Sequence, residues 1–97
     1  MSVVTTTIIT SSQSIDLSFE AYLVDASSDN VTLTLMDNTS GNNGAMYVKR
    51  IDGNGTNAVI VQGFNDSQTI DGRSKAIFSP GQDFRIVAYN GLWYSIS

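Results

Sequence analysis

The sequence contains no cysteine and no histidine, and it has only one proline and one tryptophan. Without a thiolate or an imidazole, it can hold neither a Ser-His-Asp triad nor a Cys-His pair, and zinc sites built on those ligands are excluded. A disulfide framework is excluded as well. General acid–base chemistry would depend on carboxylates alone, as in glycoside hydrolases. We therefore expect a protein that is not an enzyme, with no catalytic residue, no cofactor and no metal.

Positive charge is also scarce, with five Lys and Arg against nine Asp and Glu and a net charge of −4. A nucleic-acid surface needs clustered Lys and Arg to meet the phosphates, and an anionic membrane surface needs the same. Long apolar runs are missing too, since the longest is 58–61, far below the ~20 residues that cross a bilayer. We predict neither a nucleic-acid partner nor a membrane partner.

Short runs of apolar residues alternate with polar ones at a period of two, which is typical of half-buried β-strands. The clearest run is 31–35, with aliphatic residues on one face and threonines on the other. Further strands are predicted over 19–24, 46–51 and 59–64, where β-branched and aromatic residues are frequent. No segment has the 3.6-residue spacing of an amphipathic helix, so the chain is predicted to be all-β.

The strongest local signal is a hairpin formed by 84–89 and 92–96, joined by Asn90 and Gly91. Asn-Gly accommodates the two positive-φ positions of a type I′ turn, which suits a two-residue connection. This register places Tyr89 opposite Leu92 and Val87 opposite Tyr94 on one face. It places Ala88 opposite Trp93 on the other face.

The length and the regular turn signals predict one domain, a small antiparallel β-sandwich or partly open barrel over residues 13–97. Gly-, Asn- and Asp-rich loops over 40–44 and 52–57 separate its strands. A core of this size gives marginal stability, and oligomers gain stability by association. We therefore expect an oligomer.

Residues 1–12 differ from the rest because they carry no charge and no turn residue. They are interpreted either as an edge strand of the sandwich or as an extended arm. An unpaired strand of high β propensity seeks a partner edge, and such pairing supplies affinity through main-chain hydrogen bonds. The candidate attachment residues are the aliphatic ones, Val3, Val4, Ile8 and Ile9.

Five aromatic residues are candidates for packing or for an interface between subunits: Tyr22, Tyr47, Tyr89, Trp93 and Tyr94. The alternative is a platform on which sugar rings stack. Strand alternation places Trp93 and Tyr94 on opposite faces, so both cannot join one flat platform, and we favour packing.

Residues 52–56 have oxygen-bearing side chains at alternate positions, as in the first half of a calcium loop. An EF-hand loop also needs a closing acid near position 63, which is Gly63, so a long hairpin loop is favoured. The preceding Lys49 and Arg50 alternate with apolar residues, so at least one cation points to an apolar side. It either pairs with an acid across a subunit interface or extends its stem along apolar surface.

The ordered series of these segments resembles small β modules of virion surface proteins of tailed phages and some large DNA viruses. Such modules occur in capsid fibres, decoration proteins and tail-fibre tips. The similarity covers roughly residues 19–97, and its segments are 21–25, 30–35, 43–52, 59–63, 68–72 and 89–96.

The resemblance implies a homotrimeric sandwich or jelly roll on the particle surface, without catalytic residues. We therefore expect a structural virion protein, a capsid decoration or minor capsid module, bound to the major capsid protein or another virion protein. The alternative is a tail-fibre tip that recognises host surface glycans. A carboxylate-based glycoside hydrolase is the third hypothesis. The expected location is the virion, at the capsid surface or in a fibre.

Overall fold

The computed structural model describes residues 5–39, 41, 44–53, 56–78 and 81–96. These residues form nine strands and no helix, as the period-two pattern predicts. The strands are β1 (Thr6–Ile9), β2 (Gln13–Ile15), β3 (Ala21–Val24), β4 (Val31–Leu35), β5 (Gly44–Arg50), β6 (Val59–Gln62), β7 (Lys75–Phe78), β8 (Asp83–Tyr89) and β9 (Leu92–Ile96). The short strands β2 and β7 were not predicted.

The strands form two sheets, and the chain passes alternately from one to the other. The first sheet has five strands in the order β1-β3-β5-β8-β9, and the second has four in the order β2-β4-β6-β7. From β1 to β6 every odd strand joins the first sheet and every even strand joins the second. The pairs β1–β2, β3–β4 and β5–β6 therefore each contribute one strand to each sheet, and the three pairs lie side by side. The last three strands, β7 to β9, complete the two sheets.

The expectation of an antiparallel sandwich was wrong for the first six strands. β1 pairs parallel with β3 and β3 with β5, while β2 pairs parallel with β4 and β4 with β6. Parallel neighbours need a crossover connection, and here a strand of the opposite sheet supplies it. Jelly rolls are built from antiparallel strands, so these pairs depart from that pattern. The antiparallel pairs are β5 with β8, β6 with β7 and β8 with β9.

The predicted hairpin is confirmed with its register. Tyr89 pairs with Leu92, Val87 with Tyr94 and Ala88 with Trp93. Asn90 and Gly91 have φ values of 54° and 80°, the two positive values that a type I′ turn requires.

The core lies between the two sheets and is filled by the inward side chains of both. Large side chains that are fully buried there include Trp93, Phe78, Leu33, Leu35 and Met46. Along β4 and β6 the inward residues are fully buried and their neighbours half-buried, as alternation dictates.

A loop over residues 63–74 closes the outer edge of β9. Asp71 and Gly72 have φ values of 54° and 79°, and the backbones of Ile70 and Arg73 exchange two hydrogen bonds across this turn. Trp93 donates its backbone N–H to the Thr69 carbonyl, and its own carbonyl accepts from the Asp71 N–H. The loop therefore satisfies edge groups that would otherwise be open to strand addition.

Candidate interaction face

The outer surface of the five-stranded sheet is apolar, although it faces away from the core. Residues directly opposite each other on neighbouring strands place their side chains on the same face. Tyr47, Arg85 and Ile96 form one such row across β5, β8 and β9, and Val87 and Tyr94 form another. We call the surface formed by Ile8, Tyr47, Val87, Tyr89, Tyr94 and Ile96 the apolar face. Five of these side chains are 40–63% exposed, and Val87 is half-buried.

The outer surface of the four-stranded sheet has a different composition. Most of its outward side chains are hydroxyls, amides or charged groups: Ser14, Thr32, Thr34, Gln62 and Lys75. Among the side chains that the structure describes on this surface, half-buried Ile60 is an apolar exception. A sheet with one solvated face normally alternates apolar inward and polar outward residues, and this sheet follows the rule while the five-stranded sheet does not.

A few charged side chains lie among the aromatic and aliphatic residues of the apolar face. The Arg85 guanidinium lies 5.9 Å from the centre of the Tyr47 ring, close enough for a cation–π interaction. Lys49 and Asp83 are opposite each other in the adjoining row. Aromatic rings beside an arginine are the side chains that interface hot spots favour, so the composition suits contact with another protein.

The predicted site residues separate into outward and inward groups. Tyr47, Tyr89 and Tyr94 lie exposed on the apolar face, whereas Tyr22 and Trp93 are buried and pack the core. The buried Tyr22 hydroxyl donates to the Asp16 carbonyl at 2.6 Å. Burial of this hydroxyl raises the pKa of Tyr22 above its ordinary value.

The candidate attachment residues also separate. Ile8 is 63% exposed on the apolar face, and Ile9 is buried in the core because strand alternation turns it inward. Val3 and Val4 lie outside the described residues. β1 itself lies at the edge of the five-stranded sheet, paired with β3. Attachment through this segment stays a prediction.

Arg50 is the cation that points to the apolar side, and it pairs within its own chain rather than across a subunit interface. Its guanidinium contacts both carboxylate oxygens of Asp52 at 3.1 Å, and both side chains are 3% exposed. It also donates to the carbonyls of Phe78 at 3.0 Å and Asn57 at 2.7 Å. Asp52 in turn accepts the Ala26 N–H at 2.9 Å. The start of the calcium-like loop is thus engaged in a structural ion pair.

Three aspartates cap turns and have lowered pKa values. A hydrogen bond from the Ser18 hydroxyl lowers the pKa of Asp16, and one from the Ser27 hydroxyl lowers the pKa of Asp25. Hydrogen bonds from the Thr39 hydroxyl and then from the Gln68 amide lower the pKa of Asp37. A lowered pKa keeps a carboxyl ionised, which does not suit a general acid at neutral pH.

A buried polar cluster joins the loop after β4 to the loop before β7. The Gln68 side-chain carbonyl accepts the Asn38 N–H at 2.6 Å, and its amide donates to Asp37 at 2.7 Å and Thr39 at 3.1 Å. Asn38 Oδ1 and Trp93 Nε1 are buried and have no partner among the residues that the structure describes. These hydrogen bonds hold the loop after β4 against the loop before β7.

Among the described residues, no group of three acids is placed to hold a metal ion. The described part of the chain also has no helix long and apolar enough to span a membrane.

Comparisons with known proteins give no relative: no protein family, no curated protein and no solved structure matches the chain.

Sequence reasoning missed two features of the surface. It found three tyrosines of the apolar face but not Ile96, which follows Tyr94 by two positions and shares its face. Period-two counting from Tyr94 could have found it. It also missed that residues of 70–76 and 82–84 line one open cleft. Only the arrangement of the strands in the two sheets brings these two segments together.

Proposed function

We propose that this chain is a non-catalytic structural module of a virus particle, a capsid decoration or minor capsid protein that assembles as a homotrimer through the apolar face. The observation that carries the proposal is the contrast between the two outer surfaces. One is polar and suits solvent, and the other exposes three tyrosines and two isoleucines on a single sheet. The resemblance of residues 19–97 to virion surface modules supplies the biological setting.

The size of the apolar face supports contact with further copies of the chain. Five strands about 4.8 Å apart, with a rise of about 3.3 Å per residue over up to seven residues, give a face of roughly 24 × 23 Å. The largest patch on a typical monomer covers about 300–600 Å² and is often functional. A face of this size, covered by a neighbouring copy around a closed ring, removes the aromatic residues from water.

Charge placement also favours copies of the same chain. Lys49 and Arg85 on the apolar face lie beside Asp83, so the face carries both signs. A cation of one copy can then pair with the acid of the next copy around the ring. The chain has a net charge of −4, so such local cations counter the repulsion between copies.

Light scattering during size-exclusion chromatography tests the trimer. We expect a mass three times that of the chain for the native protein, and monomers for Tyr94→Glu, because a carboxylate on the apolar face cannot be desolvated without a partner. Thr34→Glu, on the outer surface of the four-stranded sheet, is the matched control and should stay trimeric. A native monomer, or equal behaviour of the two variants, would refute assembly through this face.

Binding to particles tests the virion role. Mass spectrometry of purified virus particles from the source of this sequence should detect the chain, and recombinant trimer should bind particles that lack it. Immunogold label on the capsid surface would agree with a decoration role, whereas label at tail tips would support the alternative below. Absence of the chain from particles would refute both.

A receptor-binding tip is the second candidate, and one observation favours it. Tyr47, Tyr89 and Tyr94 share one exposed face with Arg85, and exposed aromatic rings can stack on sugar rings. A glycan array probed with the oligomer separates the candidates. A decoration protein should give no selective signal, and a tip should bind one glycan class and lose it in Tyr89→Ala.

A further inference from the structure

An open cleft of about 530 Å³ lies where the two sheets end together, at the edge formed by β7 and β9. It exists because the inward residues there are small. Ala76 ends the inward row of β7, and Ser95 has the corresponding place on β9. Deeper in the core, Phe78 and Trp93 fill the same gap between the sheets.

The floor of this cleft is apolar and held in place. Ile70 is buried, and Phe84 is half-buried against the core. Phe84 meets Phe78 edge to face, with ring centres 5.0 Å apart and an angle of 90°. A fixed ring beside an aliphatic side chain offers a flat apolar surface, which ligand sites commonly present.

The rim carries two cations that have no partner of their own. Arg73 and Lys75 line the cleft, and neither side chain forms an ion pair or a hydrogen bond with the part of the chain that the structure describes. In contrast, Arg50 pairs with Asp52 and Lys49 reaches the Gly81 carbonyl. The planar guanidinium of arginine matches a carboxylate through two parallel hydrogen bonds.

The rim also carries an acceptor group fixed in position. The Asp71 carboxylate accepts the Ser95 N–H at 3.1 Å and the Ser95 hydroxyl. An ionised carboxylate has lone pairs for about four hydrogen bonds, so Asp71 can still accept from a ligand hydroxyl. Its charge repels any anion, and only a ligand that also brings a hydroxyl donor offsets that repulsion with a hydrogen bond.

We propose that this cleft binds the carboxylate-bearing sugar ring of a uronic acid. The Arg73 guanidinium meets the carboxylate, and Lys75 on the edge strand β7 adds positive charge at the rim. Asp71 accepts from ring hydroxyls, and the apolar face of the ring lies against Phe84. Volume agrees with this, because ligand pockets span about 300–1,000 Å³ and the cleft is within that range. This site is separate from the apolar face and does not depend on the proposed virion function.

Titration followed by nuclear magnetic resonance tests the site with three probes: D-glucuronate, D-glucose and acetate. We expect saturable shifts of the cleft amides with glucuronate, and at least tenfold weaker binding of glucose and of acetate. Acetate that binds as well as glucuronate would show adventitious anion binding and overturn the proposal. Absence of saturable binding by glucuronate would overturn it as well.

Variants of residues that line the cleft test whether glucuronate binds there. Arg73→Gln should weaken glucuronate binding at least tenfold, and Ala76→Leu should abolish it by filling the cleft, with thermal melting showing that both variants are folded. Thr34→Ala, on the outer surface of the four-stranded sheet and outside the cleft, is the control and should bind as the native protein does. Equal affinity of Arg73→Gln and the native protein would overturn the proposal. Tighter binding of an oligogalacturonate than of the monosaccharide would identify a polysaccharide as the source of the ligand.

Discussion

Arg50 and Asp52 form a bidentate ion pair inside the molecule, two residues apart in the chain and almost wholly shielded from water. The pair links the end of β5 to three separate segments. Arg50 donates to the Phe78 and Asn57 carbonyls, and Asp52 accepts from the Ala26 amide. Both charges therefore have the additional hydrogen bonds that a buried ion pair needs.

Truncating Arg50 to alanine should lower the free energy of unfolding by about 3–5 kcal/mol, because it leaves Asp52 buried without its counter-ion. Chemical denaturation measures the change. Glu20→Ala, at an exposed position away from the apolar face, is the control and should stay within about 0.5 kcal/mol of the native value. A loss below about 1 kcal/mol in Arg50→Ala would show that water replaces the pair.

Replacing Trp93 with alanine should lower the free energy of unfolding by about 3–5 kcal/mol, the usual effect of removing a buried aromatic side chain. Trp93 is 0% exposed and lies opposite Ala88, whose small side chain leaves room for the indole. Phe64→Ala, a half-exposed aromatic outside both sheets, is the control. A small loss at Trp93 together with loss of sugar binding would favour a ligand role instead.

An alanine at Gly63 should destabilise the protein by about 1–3 kcal/mol, the range for forcing extra atoms into packed structure. A Cβ at this position would lie 1.8 Å from the Gln68 carbonyl oxygen, so the backbone of the loop must move. Gly53→Ala is the matched control, since nothing lies within 4 Å of its Cβ position. Equal melting temperatures of the two variants would contradict this interpretation of the loop.

Stability should fall in acid because the folded state lowers the pKa of Asp16, Asp25 and Asp37. Their ordinary value is 3.8, so the stabilisation is complete well above that pH and is lost as pH falls through the lower folded values. The melting temperature should be nearly flat between about pH 7 and pH 5, and then decrease. Asp37→Asn should melt lower than the native protein at neutral pH, and the difference should shrink as the pH falls below 3.8. A constant difference across this range would contradict the assignment.

The sequence allowed prediction of the strands but not of their directions. Alternation in 31–35 gives the same period whether a strand has parallel or antiparallel neighbours, so it could not show that β4 lies parallel to β6. The β8–β9 hairpin was predictable because Asn90 and Gly91 specify the turn locally. β7 was missed because its neighbour is set by contacts with β6 across a long loop.

The candidate site was predictable only in part for the same reason. Alternation separated Trp93 from Tyr94, but only the strand order places Tyr47 and Tyr94 on one surface. The burial of Arg50 was predictable from its position beside apolar residues. Its partner was not, because an acid in the following loop and an acid of another subunit fit the pattern equally well.

Consecutive strands pair with each other only twice among the nine described, β6 with β7 and β8 with β9. In every other pair, at least one strand of the opposite sheet lies between the two partners along the chain. The connecting segment must therefore lose conformational entropy before the two strands can form their contacts. Hairpins form in about 1–10 μs, and pairings between distant segments form much more slowly. We therefore expect folding to begin with β6 to β9, which are synthesised after β1 to β5. Until then β1 to β5 wait as unpaired chain, and their threonine- and isoleucine-rich segments are the ones most exposed to aggregation.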